Sequence, residues 1–368
     1  MKRLAILGST GSVGRQTLEV VQRHPDRCRV VGLAAGSNFD LIAQQVAEFQ
    51  PTRVAFPRPV PGAERVSMEE LASAPDVDLV VVATVGKAGL TATLAAIAAG
   101  KPIAMANKEI MVMAGSLVMA AARQHGVTVL PVDSALSAVA QCLAGEGQNV
   151  EQIILTCTGT PYSWRAPAAL RAVSREELLR QTHGIMGRKL SIDSATLMRE
   201  GMQVIEARWL FDVPFERISV VVHPENAVRA LVRFVDGTVK AVISQPSTRL
   251  ALQYALSYPE RWGLPALPPL DLTALGPVSF EPLDEAKYPC FRLATEAGYR
   301  GDTYPAVLNA ADEMAVLLFL DQQIGFQEIP RVVEAVLNRH QPVHHPTLED
   351  ILQADQWARD FTPQQVPE

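Results

Sequence analysis

A chain of 368 residues is longer than one ordinary hydrophobic core organises, so two or three domains are expected. With 48% apolar and 20% charged residues it has the balance of a soluble globular enzyme, and a net charge of −6 speaks against nucleic-acid or anionic-membrane partners. Cys28, Cys142, Cys157 and Cys290 show no C-x-x-C spacing, which argues against a zinc or disulfide framework and for a reducing compartment. The N-terminal "MKRLAILGSTGSVG" is too short in its apolar run for a signal peptide, and "ATLAAIAAGKPIAMA" is broken well short of the ~20 residues of a membrane span. A cytoplasmic protein is expected.

In chain order, "RLAILG" reads as a strand and "GRQTLEVVQRHP" as an amphipathic helix stopped by Pro25. "CRVVGLAAG" is a second strand, and "FDLIAQQVAEFQP" a second helix ended at Pro51. "DLVVVAT" and "KPIAMAN" are further strands, with the helix "GLTATLAAIAAG" between them. This alternation predicts an α/β chain that opens on a Rossmann-type, doubly wound parallel sheet. From residue 151 to about 260, the strands "QIILTCT", "ISVVVHP" and "GTVKAVIS" with a long helix predict a separate α/β layer. "WGLPALPPLDLTALGPVSFEPLDEAKYP" reads as an extended linker, and "AVLNAADEMAVLLFLD" and "FQEIPRVVEAVLNRH" as helices. The expected division is 1–133, a cofactor-binding Rossmann domain; 134–262, a central α/β catalytic and dimerisation domain; 263–288, a linker; and 289–368, a C-terminal helical domain.

"AILGSTGSVGRQTLEV" sets Gly8, Gly11 and Gly14 between a strand and a helix. Glycines there let the backbone approach a pyrophosphate, and the free N–H groups at the helix start face its charge. Thr10 and Ser12 add hydroxyl donors. The second strand ends "AAGSN" with no Asp or Glu for a ribose 2′-hydroxyl. Ser37 and Asn38 accommodate a 2′-phosphate instead, which favours NADPH over NADH. Further along, "VDSALSAVAQ" looks like half of a metal site: Asp133 ends an apolar run and Ser134 follows, but Ala135 and Leu136 offer no ligand or base.

"GSTGSVG", "ANKE", "MGRKLSIDSAT", "VIEARWLF", "YALSYPER", "YPCFRLA" and "PAVLNAADEMAV" together resemble the 1-deoxy-D-xylulose 5-phosphate reductoisomerase family along nearly the whole chain. The resemblance implies an NADPH-binding Rossmann domain, a catalytic domain with a mobile loop, here near 181–188, a helical C-terminal domain and a homodimer. It also implies rearrangement of the substrate's carbon skeleton followed by reduction with NADPH, with Mg²⁺ or Mn²⁺ holding adjacent substrate oxygens. Cofactor positions carry over onto Thr10, Gly11, Ser12, Val13, Gly36, Ser37, Asn38, Asn107, Glu109 and Gly187, and the substrate-contacting lysine onto Lys108.

The chemical site carries over less completely. The family's aspartate-serine-glutamate-histidine reads Asp133, Ser134, Ala135, Leu136 here. Its substrate-binding asparagine and phosphate-binding lysine fall on Arg199 and Glu200, and its third metal carboxylate on Gln203. The loop's histidine and tryptophan fall on Gln181 and Gly184, while the phosphate-site serines fall on Thr158 and Ser194. Loss of two carboxylates makes a divalent metal doubtful. The expected function is therefore a metal-independent NADPH oxidoreductase acting on a different small anionic hydroxy or oxo compound. In that reading Lys108 and Asp133 are catalytic, and Ser134, Thr158, Ser194, Arg199 and Gln203 face substrate. Two alternatives stand beside it: the isoprenoid-precursor reductoisomerase itself, and a non-catalytic NADPH-binding protein.

Overall fold

Aliphatic strands buried on both faces belong in a parallel sheet covered by helices, and the first third of the chain builds one. In the computed structural model, which describes residues 1–147, 149–159, 173–181, 187–263 and 267–366, seven parallel strands form this sheet. They are β1 (Lys2–Leu7), β2 (Cys28–Ala34), β3 (Arg53–Ala55), β4 (Glu64–Arg65), β5 (Leu79–Val82), β6 (Ile103–Met105) and β7 (Val129–Pro131). Their order is β4-β3-β2-β1-β5-β6-β7. The chain winds outward from β1 and returns to its other side at β5, so the order reverses between β1 and β5. Leu4, Ile6, Leu33, Val54 and Val81 are buried in this core with Ile42 and Val46 of the helix Phe39–Phe49. Each such side chain contributes roughly 1.5–3 kcal/mol relative to exposure.

The chain divides into two compact units that are discontinuous in sequence. The first comprises Met1–Ile110, Ser116–Val150 and Ala227–Pro277; the second Met111–Gly115, Glu151–Asn226 and Val278–Glu368. The contiguous division expected at 133/134, 262/263 and 288/289 is a different partition, because the chain revisits the first unit after residue 226. Besides the sheet, the first unit holds the antiparallel strands Val228–Phe234 and Val239–Ile243, with the helix Ser134–Leu143 packed against them. The stretch "VDSALSAVAQ" thus holds the start of a helix, with Asp133 as its cap.

In the second unit, strands Val150–Cys157 and Ile218–Val222 pair in parallel. Helices Pro289–Arg300, Tyr304–Leu320, Glu328–Arg339 and Leu348–Phe361 form a helical region, with Val307, Leu308, Ile329, Val333 and Ala358 at its centre. The segment expected to be an extended linker contains a short helix, Leu272–Leu275, whose N–H groups are capped by Asp271. It also contains a strand, Glu281–Pro282, paired with Ile218–Val222. Proline spacing hid both. No helix among the described residues is long and apolar enough to cross a membrane.

Candidate active site

The glycine loop leaves β1 under tight steric constraint. Gly8 adopts φ +90°, and a Cβ there would lie 2.3 Å from the Ala83 carbonyl oxygen. A Cβ on Gly14 would lie 2.3 Å from the Gly8 oxygen, so the helix start is pressed against the loop. Gly11 is the N-cap of the helix Ser12–Arg23, with no side-chain cap and no acidic residue in the first turn. The first N–H groups of that helix therefore meet no carboxylate of their own helix, as an anion site requires. Buried Ser9 donates to Gln45 Oε1 at 2.7 Å and its carbonyl accepts from Gln45 Nε2 at 3.0 Å, which holds the loop's shape.

Because the strands are parallel, their carboxyl ends lie along one edge. Thr10, Gly11, Ser12 and Val13 follow β1, and Gly36, Ser37 and Asn38 follow β2 as exposed residues. Asn38 caps the next helix through Leu41 N. Arg58, whose guanidinium carbon lies 3.7 Å from the centroid of Phe39, places a cation against the residue after Asn38.

Asn107 and Lys108 follow β6. Asn107 is buried, donates to Thr84 Oγ1 and the Gly86 carbonyl at 3.0 Å each, and accepts from Ile110 N at 3.1 Å. Its amide spends both ends on the protein and pins the β5 and β6 loops together. Glu109 is half-buried in the first turn of the helix Lys108–His125, where the helix dipole favours a negative charge.

Asp133 follows β7 and caps the helix Ser134–Leu143. Its Oδ1 accepts from Ala135 N at 2.9 Å and Leu136 N at 3.2 Å. Its Oδ2 faces Lys108 Nζ at 3.9 Å, both side chains being 16% exposed. Ser134 Oγ accepts a hydrogen bond from Arg229 Nη2 at 2.7 Å. Arg229 lies on the strand Val228–Phe234, nearly a hundred residues further on. Ala135 and Leu136 are buried apolar side chains.

The remaining candidates lie in the second unit. Thr158 is exposed after the strand Val150–Cys157. Burial pushes the Cys157 thiol up to about 11, which disfavours the thiolate that a nucleophile needs. Gly187 is the exposed N-cap of the helix Arg188–Thr196; of the loop expected near 181–188, residues 182–186 lie outside the described residues. Ser194 Oγ is buried with no hydrogen-bond partner among the described residues. Arg199 Nη1 donates to Glu200 Oε1 at 3.1 Å, and Glu200 and Gln203 are buried, so this is no solvated helix face. Lys189 Nζ lies 2.5 Å from both Asp193 Oδ2 and Asp312 Oδ2. Desolvation opposes its charge, but the two carboxylates outweigh it and hold the ammonium above its ordinary range. That trio ties the helix of Ser194 to the helix Tyr304–Leu320.

Sequence reasoning missed Ser9 with Gln45, Arg58 and Arg229. A serine inside the glycine run was a visible signal. The two arginines left none, since only the tertiary fold gives them their neighbours. Among the described residues no group of three or more His, Cys, Asp or Glu has the arrangement of a metal site.

A seven-stranded parallel sheet with a glycine cradle at its point of reversal defines a Rossmann-type nucleotide-binding α/β protein, and relatives narrow this further. Residues 4–63 and 58–115 match the family profile described as 1-deoxy-D-xylulose 5-phosphate reductoisomerase, 129–211 its C-terminal domain, and 243–361 the DXP reductoisomerase C-terminal domain. The protein of that name from Pelotomaculum thermopropionicum is 47% identical over 98% of this chain and 97% of its own. That from Thermomicrobium roseum is 48% identical over 97% and 95%. The Zymomonas mobilis reductoisomerase in complex with NADPH superposes with a TM-score of 0.93 at 35% identity, covering 100% of this chain and 99% of that one. A DOX-P reductoisomerase in complex with NADPH, fosmidomycin and magnesium does so at 0.92 and 35%, covering 100% and 98%. The chain belongs to the 1-deoxy-D-xylulose 5-phosphate reductoisomerase family, a family of NADPH-dependent oxidoreductases.

Proposed function

We propose that this chain is an NADPH-dependent oxidoreductase acting on a carbonyl–alcohol pair in a small anionic compound. The observation that carries this reading is the carboxyl edge of the parallel sheet, where the glycine cradle follows β1 and Lys108 follows β6. The NADPH complexes of the relatives support the cofactor, and Arg58 beside Phe39 supports a 2′-phosphate. Residues 1–133 are the cofactor-binding part in this proposal. NADPH, when bound, supplies the hydride. The glycines admit its pyrophosphate against the uncapped helix start. Lys108 gives a proton to the carbonyl oxygen, and Asp133 orients the ammonium.

The reaction with the widest support is the one the relatives are named for, with 1-deoxy-D-xylulose 5-phosphate as substrate, since relatives 44–48% identical over nearly the full length carry that name. A second reading, a rebuilt and metal-independent site for another anionic substrate, is favoured by the donor set. A hard divalent cation takes six or more oxygen ligands, several of them carboxylate or water. At the positions the resemblance assigns to it, this chain offers Asp133, Ala135 and Gln203. Asp133 already spends one oxygen on two amides and faces Lys108 with the other. One engaged carboxylate and a neutral amide do not fit such an ion. Glu200, where the resemblance places a phosphate-binding lysine, repels phosphate.

The deciding experiment follows NADPH consumption with 1-deoxy-D-xylulose 5-phosphate, once with Mn²⁺ and once in EDTA. Metal-dependent turnover establishes the relatives' reaction. NADPH binding with no turnover of that substrate under either condition supports the second reading. A chain that binds no NADPH overturns both.

A further inference from the structure

We propose that Val85, on the turn after β5, is the apolar contact for the nicotinamide half of NADPH and favours its reduced, uncharged ring. The inference rests on the NADPH reading given above. Val85 is 81% exposed, more than any other large apolar side chain among the described residues. A lone exposed valine is ordinary on a loose loop, but this one sits on a turn held at both flanks by a single buried amide. Asn107 Nδ2 donates to Thr84 Oγ1 on one side of it and to the Gly86 carbonyl on the other, at 3.0 Å each. Gly86 takes φ +55°, a left-handed conformation that suits glycine.

The same turn lies against the glycine cradle. A Cβ on Gly8 would come 2.3 Å from the Ala83 carbonyl oxygen and 2.8 Å from Thr84 N. The loops after β1 and β5 therefore touch where the strand order reverses, which is where an open α/β sheet takes a dinucleotide. Direction follows from the strand order, with β2 and β3 on one side of β1 and β5 on the other. Gly36, Ser37, Asn38 and Arg58, the residues for the adenosine ribose and its 2′-phosphate, follow β2 and β3. The glycine cradle after β1 takes the pyrophosphate. What remains of the cofactor, its nicotinamide ribose and ring, extends past β1 toward β5 and the Val85 side chain. All of these residues belong to one unit of the chain.

Charge decides which redox form the contact serves. The dihydronicotinamide ring of NADPH is neutral, whereas the ring of NADP⁺ is a cation. An isopropyl group gains by covering the neutral ring and leaves the charged one without a partner where water would have solvated it. Val85 binds and orients in this scheme and undergoes no bond change.

The test titrates NADPH, NADP⁺ and 2′,5′-ADP, which is the adenosine half alone, into the parent, Val85→Ala and Val85→Asp. Binding is followed by nicotinamide fluorescence and by heat, and matching melting curves show that these surface variants are folded. Val85→Ala should weaken NADPH about threefold and Val85→Asp about tenfold, the ~1.4 kcal/mol of one decade. Affinity for 2′,5′-ADP should stay level in both. Val85→Asp should bind NADP⁺ no more weakly than the parent does, because a carboxylate attracts the oxidised ring. Losses shared by 2′,5′-ADP, or NADPH binding indifferent to both variants, overturn the contact and leave the NADPH reading standing. Equal losses for NADPH and NADP⁺ overturn the preference for the reduced ring. A parent chain that binds no NADPH overturns the reading and the contact together.

Discussion

Under the proposed function, cofactor choice at the end of β2 rests on one side chain, Arg58. After β2 the chain has no acid to hold a ribose hydroxyl, and exposed Gly36, Ser37 and Asn38 leave room for a 2′-phosphate. Room alone does not discriminate, because NADH fits there as well. In the proposed reading the Arg58 guanidinium, held against the Phe39 ring, supplies the missing attraction. Arg58→Ala should therefore weaken NADPH binding about tenfold, the ~1.4 kcal/mol that converts to one decade, and leave NADH binding unchanged. Fluorescence titration with both nucleotides checks this, and equal losses for the two would remove Arg58 from the site. Asp133 teaches the converse at the same scale. Read alone it was a metal ligand without its companions; in the fold its Oδ1 is a helix cap, and the helix it starts buries Ala135 and Leu136 where a ligand and a base were missing.

Packing between elements holds Arg199, Glu200 and Gln203 in register on their helix. The helix Met198–Phe211 carries Arg199, Glu200 and Gln203, and it packs on Pro289–Arg300 with glycines on both sides of the contact. A Cβ on Gly201 would sit 2.5 Å from Ala294 Cβ, and one on Gly298 would sit 2.8 Å from Ile205 Cγ1. The helices cannot separate locally without opening the buried cluster around them. Gly201→Ala should cost about 2 kcal/mol by overpacking, or roughly 3 °C in melting temperature; a variant that melts like the parent would show that the two helices yield. Strands such as β1 and β5 were legible because apolar runs bounded by glycine announce a buried parallel strand. Gly8, Gly11 and Gly14 were legible for the same local reason. The short strands β3 and β4, the strand that carries Arg229 and the helix begun by Asp133 were not, because they rest on pairings and caps made by distant parts of the chain.

Across the whole molecule, titration ties these local devices to stability. In the first unit Asp78 is held below the carboxylate range by its hydrogen bond to the Arg3 side chain, Glu70 by the Ser67 amide and Asp271 by the Thr273 hydroxyl. In the second, Asp350 is held down by the Thr347 hydroxyl and Glu225 by the Ser279 hydroxyl. Each binds its proton less tightly folded than unfolded. Their stabilisation is present above the ordinary values of 3.8 and 4.5 and is lost as pH falls through the lower folded values. His340 acts earlier with the same sign. Burial, reinforced by Arg300, lowers it from 6.5, so the unfolded chain takes up a proton that the folded chain resists as pH drops below that value. The melting temperature should hold steady from pH ~8 down to neutrality and decline by a few degrees between pH ~7 and ~5, then fall more steeply below pH ~4, where the carboxylates protonate. His340→Gln keeps a polar group near Thr303 Oγ1, which His340 Nε2 approaches at 2.8 Å. In that variant the decline above pH ~5 should shrink while the acid limb remains, because His340 is the one of the shifted groups named above whose ordinary value lies in that window. Melting curves of the two proteins at closely spaced pH decide it, and a parent protein whose melting temperature is level from neutrality to pH ~5 would refute the histidine's part.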